Sequence, residues 1–111
     1  MAAHKVRFLE VTALEARRAQ QGEDYLEFLR ESSMSAGIYV LPVGGVDRQS
    51  PHRQDEMYFV VSGRGRMRAG SEDHAVGPGS VIFIAADAQH RFYDIEEELT
   101  LLVIFAPAES A

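Results

Sequence analysis

The 111 residues suffice for one domain with a hydrophobic core, and 46% hydrophobic with 25% charged residues is an ordinary globular composition. The net charge of −6 argues against a nucleic-acid partner, and the absence of cysteine excludes disulfides, thiolate ligands and a cysteine nucleophile. No run approaches the ~18 apolar residues of a membrane span, and the amino terminus lacks a signal-peptide pattern. We therefore expect a single domain over residues 1–111, located in the cytoplasm and without a membrane segment.

The first predicted elements are a short strand and a helix. Lys5–Val11 alternates well enough to predict a strand. Thr12 then caps a helix, with Glu15 at the third helical position completing a capping box, and Gly22 ends it. This is the single helix that the sequence predicts.

From Tyr25 onward, turn-forming residues divide the sequence into short segments, as is typical of a β protein. Short runs rich in β-branched and aromatic residues alternate with glycine and proline turns at a spacing of roughly ten residues, which predicts a sandwich or barrel. Gly63-Arg64-Gly65 is interpreted as a hairpin turn, and Glu96-Glu97-Glu98 as a solvated turn. The predicted strands are Tyr25–Arg30, Ala36–Leu41, Met57–Val61, Arg64–Ala69, Val81–Ile84 and Leu99–Phe105.

Two of the four histidines belong to local patterns. The first pattern is Gly45-x6-His52-x3-Glu56-x6-Gly63. On a straight strand His52 and Glu56 would lie about 13 Å apart, too far for one metal ion, so the polar segment 53–55 is expected to bend. In a regular strand Gln54 has the same parity as His52 and Glu56.

The second pattern begins with the tight turn Gly77-Pro78-Gly79, which leads into the strand at 80–84. A loop follows, and His90 opens the next strand. One imidazole from this strand pair can then face the imidazole and carboxylate of the first pattern.

These two segments, at about 45–65 and 77–94, resemble the two cupin motifs G-x5-H-x-H-x3,4-E-x6-G and G-x5-P-x-G-x2-H-x3-N. The segment from Gln49 to Gly65 is also similar to uncharacterised bacterial cupins with the pattern Q-x-P-H-x-x-D-E-x-Y-x-V-x-S-G-x-G. The resemblance implies an all-β fold, the RmlC-like jelly-roll barrel or double-stranded β-helix, to which the sequence adds one short N-terminal helix. It also implies a metal in the barrel mouth.

The sequence departs from the motifs at several positions. Ser50 stands where the first motif has its first histidine, and Asp94 replaces the final asparagine of the second. Ala85 and Asp87 replace its proline and glycine, although aspartate still tolerates a left-handed turn position. The remaining ligands implied by the resemblance are His52, Glu56 and His90, with Ser50, Gln49 or Gln54 as a weak fourth.

Two imidazoles and one carboxylate suit a divalent ion such as Fe, Mn, Ni or Zn, and leave positions open for water or substrate. The alternative is a histidine–glutamate pair hydrogen-bonded around water, with no metal. Inward-facing aromatic residues predict a mostly apolar pocket for a small organic ligand. The expected pocket residues are Tyr39, Tyr58, Phe83 and Phe92.

Two classes of function remain open. The first is a metal-dependent enzyme of the dioxygenase, isomerase or lyase type, with Tyr58 or Gln54 as the candidate groups for handling protons. The second is a non-catalytic small-molecule-binding or sensor barrel, with or without metal.

A homodimer is also expected, because three strand segments offer apolar surface to a second copy. The alternative is that these strands simply close the barrel. The segments are Val6–Val11, Tyr25–Leu29 and Leu101–Phe105.

Overall fold

A computed structural model describes residues 4–48 and 51–110. The chain folds into one helix followed by six strands. These are α1 (Val11–Gln21), β1 (Tyr25–Arg30), β2 (Ser35–Leu41), β3 (Asp55–Ala69), β4 (Glu72–Val76), β5 (Val81–Ile84) and β6 (His90–Ala106). Within these ranges, no helix is long and apolar enough to cross a membrane.

All strand pairs are antiparallel, and the long strands β3 and β6 form the central pair of the sheet. The first half of β3 lies between β6 and β5, and its second half lies between β6 and β4. On the other side of β6, β2 pairs with residues 99–105 and β1 pairs with β2. Side chains from both halves of β3 and β6 join one buried cluster, so the sheet curls around its own core.

Gly63 marks the point where β3 bends. Its φ is +95°, and a Cβ at this position would lie 2.1 Å from the carbonyl oxygen of Glu98 on β6. Glycine alone accepts both the left-handed backbone and this close approach. The glycine that ends the first sequence pattern is therefore needed to bring the two long strands together at the bend.

The helix forms close to its expected position but begins differently. It starts at Val11, no side chain caps it, and Glu15 pairs with Arg18 at 3.0 Å instead of completing a capping box. Gly22 ends it as predicted, with φ +73° and its N–H donating to the carbonyls of Arg18 and Ala19. The predicted strand at Lys5–Val11 is wrong, because residues 4–10 form no ladder with the described part of the chain.

Two predicted turns are also wrong. Gly63-Arg64-Gly65 lies inside β3, and Glu96-Glu97-Glu98 lies inside β6. The register between the two strands shifts three times between Val60 and Arg66, so bulges absorb the bend without breaking the ladder. The predicted segment Leu101–Phe105 lies in the middle of the sheet, paired with β2 and β3 on its two sides, and so has no free edge.

Candidate functional site

Glu56 and His90 meet inside the barrel from distant points of the same ladder. Along the ladder Glu56 pairs with Phe105, whereas His90 pairs with Ala69 at the opposite end. The curling of the sheet nevertheless brings His90 Nε2 to 3.1 Å from Glu56 Oε1, and both side chains are almost wholly buried. The Tyr58 hydroxyl lies 3.1 Å from the same nitrogen. We call the end of the barrel where these three side chains meet the mouth.

The surroundings of His90 fix the position of its protons. Nδ1 lies 2.9 Å from the carbonyl oxygen of Ala88, which can only accept, so Nδ1 carries a hydrogen. Nε2 therefore accepts from Tyr58 when the ring is neutral and faces Glu56 as a donor when the ring is protonated. Burial lowers the pKa of His90, but the Glu56 carboxylate, the Ala88 carbonyl and the charge of Asp47 outweigh burial and raise it.

His52, like His90, has its Nδ1 next to an oxygen atom. Its Nδ1 lies 3.0 Å from Glu109 Oε2, and its ring packs edge-on against Phe105 with 4.8 Å between centroids. Nε2 is buried and has no hydrogen-bond partner in the described ranges, and the same is true of both carboxylate oxygens of Glu56. The Glu56–His90 contact is an ion pair only when the His90 ring is protonated.

Glu109 belongs to a C-terminal tail that contacts His52 and the neighbouring strands. Its N–H donates to Ser35 Oγ at 2.8 Å, and Arg30 Nη2 donates to its carbonyl oxygen at 2.5 Å. Gln54 Nε2 donates to Ser110 Oγ at 3.0 Å, so Gln54 holds the tail while its Oε1 is buried without a partner in the described residues. Burial raises the pKa of Glu109, with the charge of His52 acting in the opposite direction.

Tyr25 is a site residue that sequence analysis did not identify. Its ring lies against Gly37, where a Cβ would come within 2.2 Å of the ring, so the absence of a side chain at 37 makes room for it. The hydroxyl is buried and has no partner among the residues described. Burial and the charges of Glu109, Glu27 and Glu56 raise the pKa of Tyr25 well above its ordinary value. The phenol therefore stays neutral and can donate a hydrogen bond.

Asp47 was also missed, and it fixes the loop that precedes β3. Its Oδ1 accepts from the Tyr39 hydroxyl at 2.9 Å, and its Oδ2 accepts from the Phe92 N–H at 3.0 Å. Beside it lies a cavity of about 360 Å³, within the range of small-molecule sites. The lining residues are Asp47, Pro51, Arg68, Gly70, Gln89, His90 and Arg91.

Of the four expected pocket aromatics, three face the interior. Tyr39, Tyr58 and Phe92 are buried in the core cluster, with Tyr58 and Phe92 packed edge to face at 4.9 Å. The expectation for Phe83 was wrong, because β5 turns Ile82 and Ile84 inward and leaves Phe83 61% exposed on the outer face. A strand assignment alone does not decide which of its two faces is the inner one.

The three expected metal ligands do not form one cluster in this conformation. Glu56 and His90 are in contact, while His52 pairs with Glu109. Within residues 4–48 and 51–110, no three His, Asp or Glu side chains come close enough together to hold a metal ion. Gln49 and Ser50 lie outside the described residues. Asp87 has φ +66°, which confirms the left-handed position expected where the motif has glycine.

Comparison with known proteins agrees with this architecture. Residues 37–105 match the family model described as a cupin domain. An uncharacterized protein from Streptomyces coelicolor is 50% identical over 97 residues, which cover 87% of this chain and 92% of that protein.

Solved structures extend the similarity at the level of the fold. A cupin 2 conserved barrel domain protein from Rhodopseudomonas palustris has a TM-score of 0.69 at 17% identity, over 78% of this chain and 62% of that one. DMSP lyase DddQ from Ruegeria pomeroyi has a TM-score of 0.69 at 20% identity, over 74% of this chain. The match spans 45% of that longer chain. The barrel bends at Gly63, the side chains of His52 and His90 face the interior, and the family model matches. The chain therefore belongs to the cupin family.

Proposed function

We propose that this cupin holds one divalent metal ion through His52, Glu56 and His90, and acts on a small organic molecule bound in the adjoining cavity. One observation carries the proposal. The Nε2 atom of His52 and both oxygens of Glu56 are buried polar atoms to which no well-aligned hydrogen bond is found in the described residues, although His90 Nε2 lies 3.1 Å from Glu56 Oε1. Such atoms are costly to bury unless something binds them.

The donor chemistry fits a metal ion. Each imidazole has its Nδ1 next to an oxygen, Glu109 Oε2 for His52 and the Ala88 carbonyl for His90. Metal-bound histidines commonly engage their second nitrogen in this way, which fixes the tautomer and leaves Nε2 for the ion. The three donors are not yet gathered around one point, so metal binding requires their side chains to move from these positions.

When bound, such an ion polarises a ligand oxygen as a Lewis acid or activates dioxygen, and the chain's own residues supply the rest. The Tyr58 hydroxyl, 3.1 Å from His90 Nε2, is the group best placed to hold or pass a proton. Gln54 is less suited to this role, because its amide nitrogen holds the C-terminal tail. A dioxygenase, isomerase or lyase reaction is consistent with these parts, and the fold is shared with a DMSP lyase.

Metal analysis of purified protein tests the proposal. We expect about one Fe, Mn, Ni or Zn per chain in the wild type, and loss of the metal in His52→Ala, Glu56→Gln and His90→Ala. His74→Ala is the matched control, because His74 is exposed on β4 and pairs with Glu72. Metal content below a tenth of an ion per chain after reloading, or equal loss in the control, contradicts the proposal.

A non-catalytic binding barrel is the second candidate, and the C-terminal tail favours it. Glu109 already pairs with His52, and Gln54 donates to Ser110, so the tail contacts two residues of the candidate site. This candidate is supported if small molecules bind with equal affinity to the metal-loaded and metal-free protein and are recovered unchanged. Turnover that needs the metal supports the enzyme.

A further inference from the structure

Two arginines stand directly opposite each other at one end of the long ladder. Arg68 on β3 pairs with Arg91 on β6 in the strand register. Like charges at opposed positions of two antiparallel strands repel, so this arrangement is unfavourable unless a negative group compensates it. Asp73 pairs with Arg68 at 3.0 Å and with Arg66 at 3.2 Å, whereas Arg91 forms no ion pair with the described part of the chain. The charge of Arg91 is therefore left without a partner.

One aromatic ring holds both guanidinium groups in position. The centroid of the Tyr93 ring lies 5.3 Å from Arg68 Cζ and 5.6 Å from Arg91 Cζ, both within the range of a cation–π contact. The Tyr93 hydroxyl donates to Asp73, which links the ring to the carboxylate. We call Arg66, Arg68, Arg91 and Asp73 the arginine cluster. Three arginines and one aspartate give it a net charge of +2, whereas the whole chain carries −6.

The cavity of about 360 Å³ lies beside the arginine cluster. Arg68 and Arg91 line it together with His90, whose Nε2 is a donor for the proposed metal. Among the described lining residues Asp47 alone is acidic, and both of its oxygens already accept hydrogen bonds from the barrel. The cavity therefore connects a pair of cations to one imidazole of the candidate metal site.

We propose that the cavity binds a small organic acid, whose carboxylate pairs with Arg91 and Arg68 and whose reacting part extends towards His90. A guanidinium presents parallel N–H donors that match the two oxygens of a carboxylate. Arg91 supplies an unpaired guanidinium, and Arg68 adds a second positive charge although it also pairs with Asp73. This inference rests on the proposed function, because it names the substrate class of that site.

Size and charge favour a small acid over a larger anion. The cavity volume is at the lower end of the range for small-molecule sites. The arginine cluster attracts a small anion that enters the cavity. A polyanion such as a nucleic acid would extend beyond the cluster and meet the negative charge of the rest of the chain, which is −6 overall.

Isothermal titration of the full, metal-free chain with matched pairs of ligands tests the recognition. The metal is left out because a carboxylate also binds metal ions directly. The probes are benzoate, succinate and pyruvate, each compared with its uncharged amide. We expect at least one acid to bind about tenfold more tightly than its amide, and the difference to shrink as salt is added.

Substitution of the arginines shows which groups carry the preference. Arg91→Gln should weaken binding of the preferred acid about 10- to 100-fold, and Arg91→Lys by less, because lysine keeps the charge but not the paired donors. Arg64→Gln is the matched control and should bind the acid as the wild type does. Arg64 is an exposed arginine of the same strand as Arg68, but it pairs with Glu97 and does not line the cavity. Since Arg91 and Arg64 are exposed, circular dichroism of these variants should match the wild type.

The inference is overturned if no acid binds more tightly than its amide, or if Arg91→Gln and Arg64→Gln weaken binding equally. It is also overturned if inorganic phosphate binds as tightly as the preferred acid, because the arginines would then form a general anion site. Failure of the proposed function is a separate result. Acid-selective binding by a chain that takes up no metal contradicts the metal site and supports the recognition, whereas metal uptake without any preference for acids does the reverse.

Discussion

His90 and Glu56 lie in contact inside the barrel, 3.1 Å from Nε2 to Oε1, although the ladder places them at opposite ends of β3 and β6. The Glu56 carboxylate favours the charged form of His90, and removing one partner of a buried charge pair leaves the other charge uncompensated. The same two atoms are donors for the proposed metal. When the His90 ring is protonated, the contact holds a proton where the metal-bound protein would hold an ion.

Glu56→Gln should lower the pKa of His90 in the metal-free protein, because the carboxylate opposes the effect of burial. The native pKa is raised above that of the unfolded chain, near 6.5, so the stabilisation is complete below that pH and is lost as the pH rises through the native pKa. The variant should lose this pH dependence. NMR titration of the His90 ring, with urea unfolding at several pH values, measures both effects, and an unchanged pKa in the variant contradicts them.

Gly63→Ala should destabilise the fold by about 3 kcal/mol or more. The backbone at this position has a positive φ, and the new Cβ would lie 2.1 Å from the carbonyl oxygen of Glu98. Gly70→Ala is the control. Gly70 also has a positive φ, +59°, but a Cβ there meets nothing within 4 Å, so about 1 kcal/mol is expected. Urea denaturation measures both. Equal losses would show that the clash contributes nothing and that the backbone conformation alone matters.

The parts of the fold that the sequence predicts are those encoded locally. Val81–Ile84 and Tyr25–Arg30 are strands with the expected bounds, because a run of apolar and aromatic residues between turn residues determines them. The spacing from Glu56 to Gly63 set the register of the first pattern, but it did not predict the bend of β3 at Gly63. The hairpin expected at Gly63 was wrong because local glycine content does not tell a turn from a bulge in a continuing strand.

The missed site residues depend on contacts between distant parts of the chain. Glu109 meets His52 from 57 positions away, and no pattern around either residue indicates the pairing. Tyr25 points into the barrel because Gly37 on the neighbouring strand leaves room for its ring. Such a pairing becomes readable only once the strand register is known. The prediction for Phe83 was wrong for a related reason, because a shift of one residue along a strand exchanges the core face for the surface face.

Glu109→Ala should weaken metal binding about 10- to 100-fold without removing a ligand, because it removes the carboxylate oxygen that lies next to His52 Nδ1. Glu96→Ala is the control, because Glu96 is exposed on β6. Isothermal titration of metal-free protein with Zn²⁺ measures the affinity. If Glu109 instead blocks the site, the variant binds the ion more tightly than the wild type, which would support the tail as a cover over the mouth and contradict its positioning role.

Tyr25→Phe should stabilise the protein near neutral pH by up to about 1 kcal/mol, because it removes a buried hydroxyl that has no partner in the described residues. The native pKa of this phenol is raised above the unfolded value near 10. The contribution of Tyr25 to wild-type stability is thus complete below about pH 10 and falls as the pH rises towards the native pKa, so the advantage of the variant should grow in alkali.

Urea unfolding at about pH 8 and about pH 10.5 measures this difference. Tyr93→Phe is the control, because the Tyr93 hydroxyl donates to Asp73, and that variant should lose stability at pH 8. A loss of stability in Tyr25→Phe would mean that the hydroxyl has a structural partner. A gain means that the chain keeps a destabilising phenol in the barrel, which is expected of a group whose hydrogen-bond partner is the bound ligand.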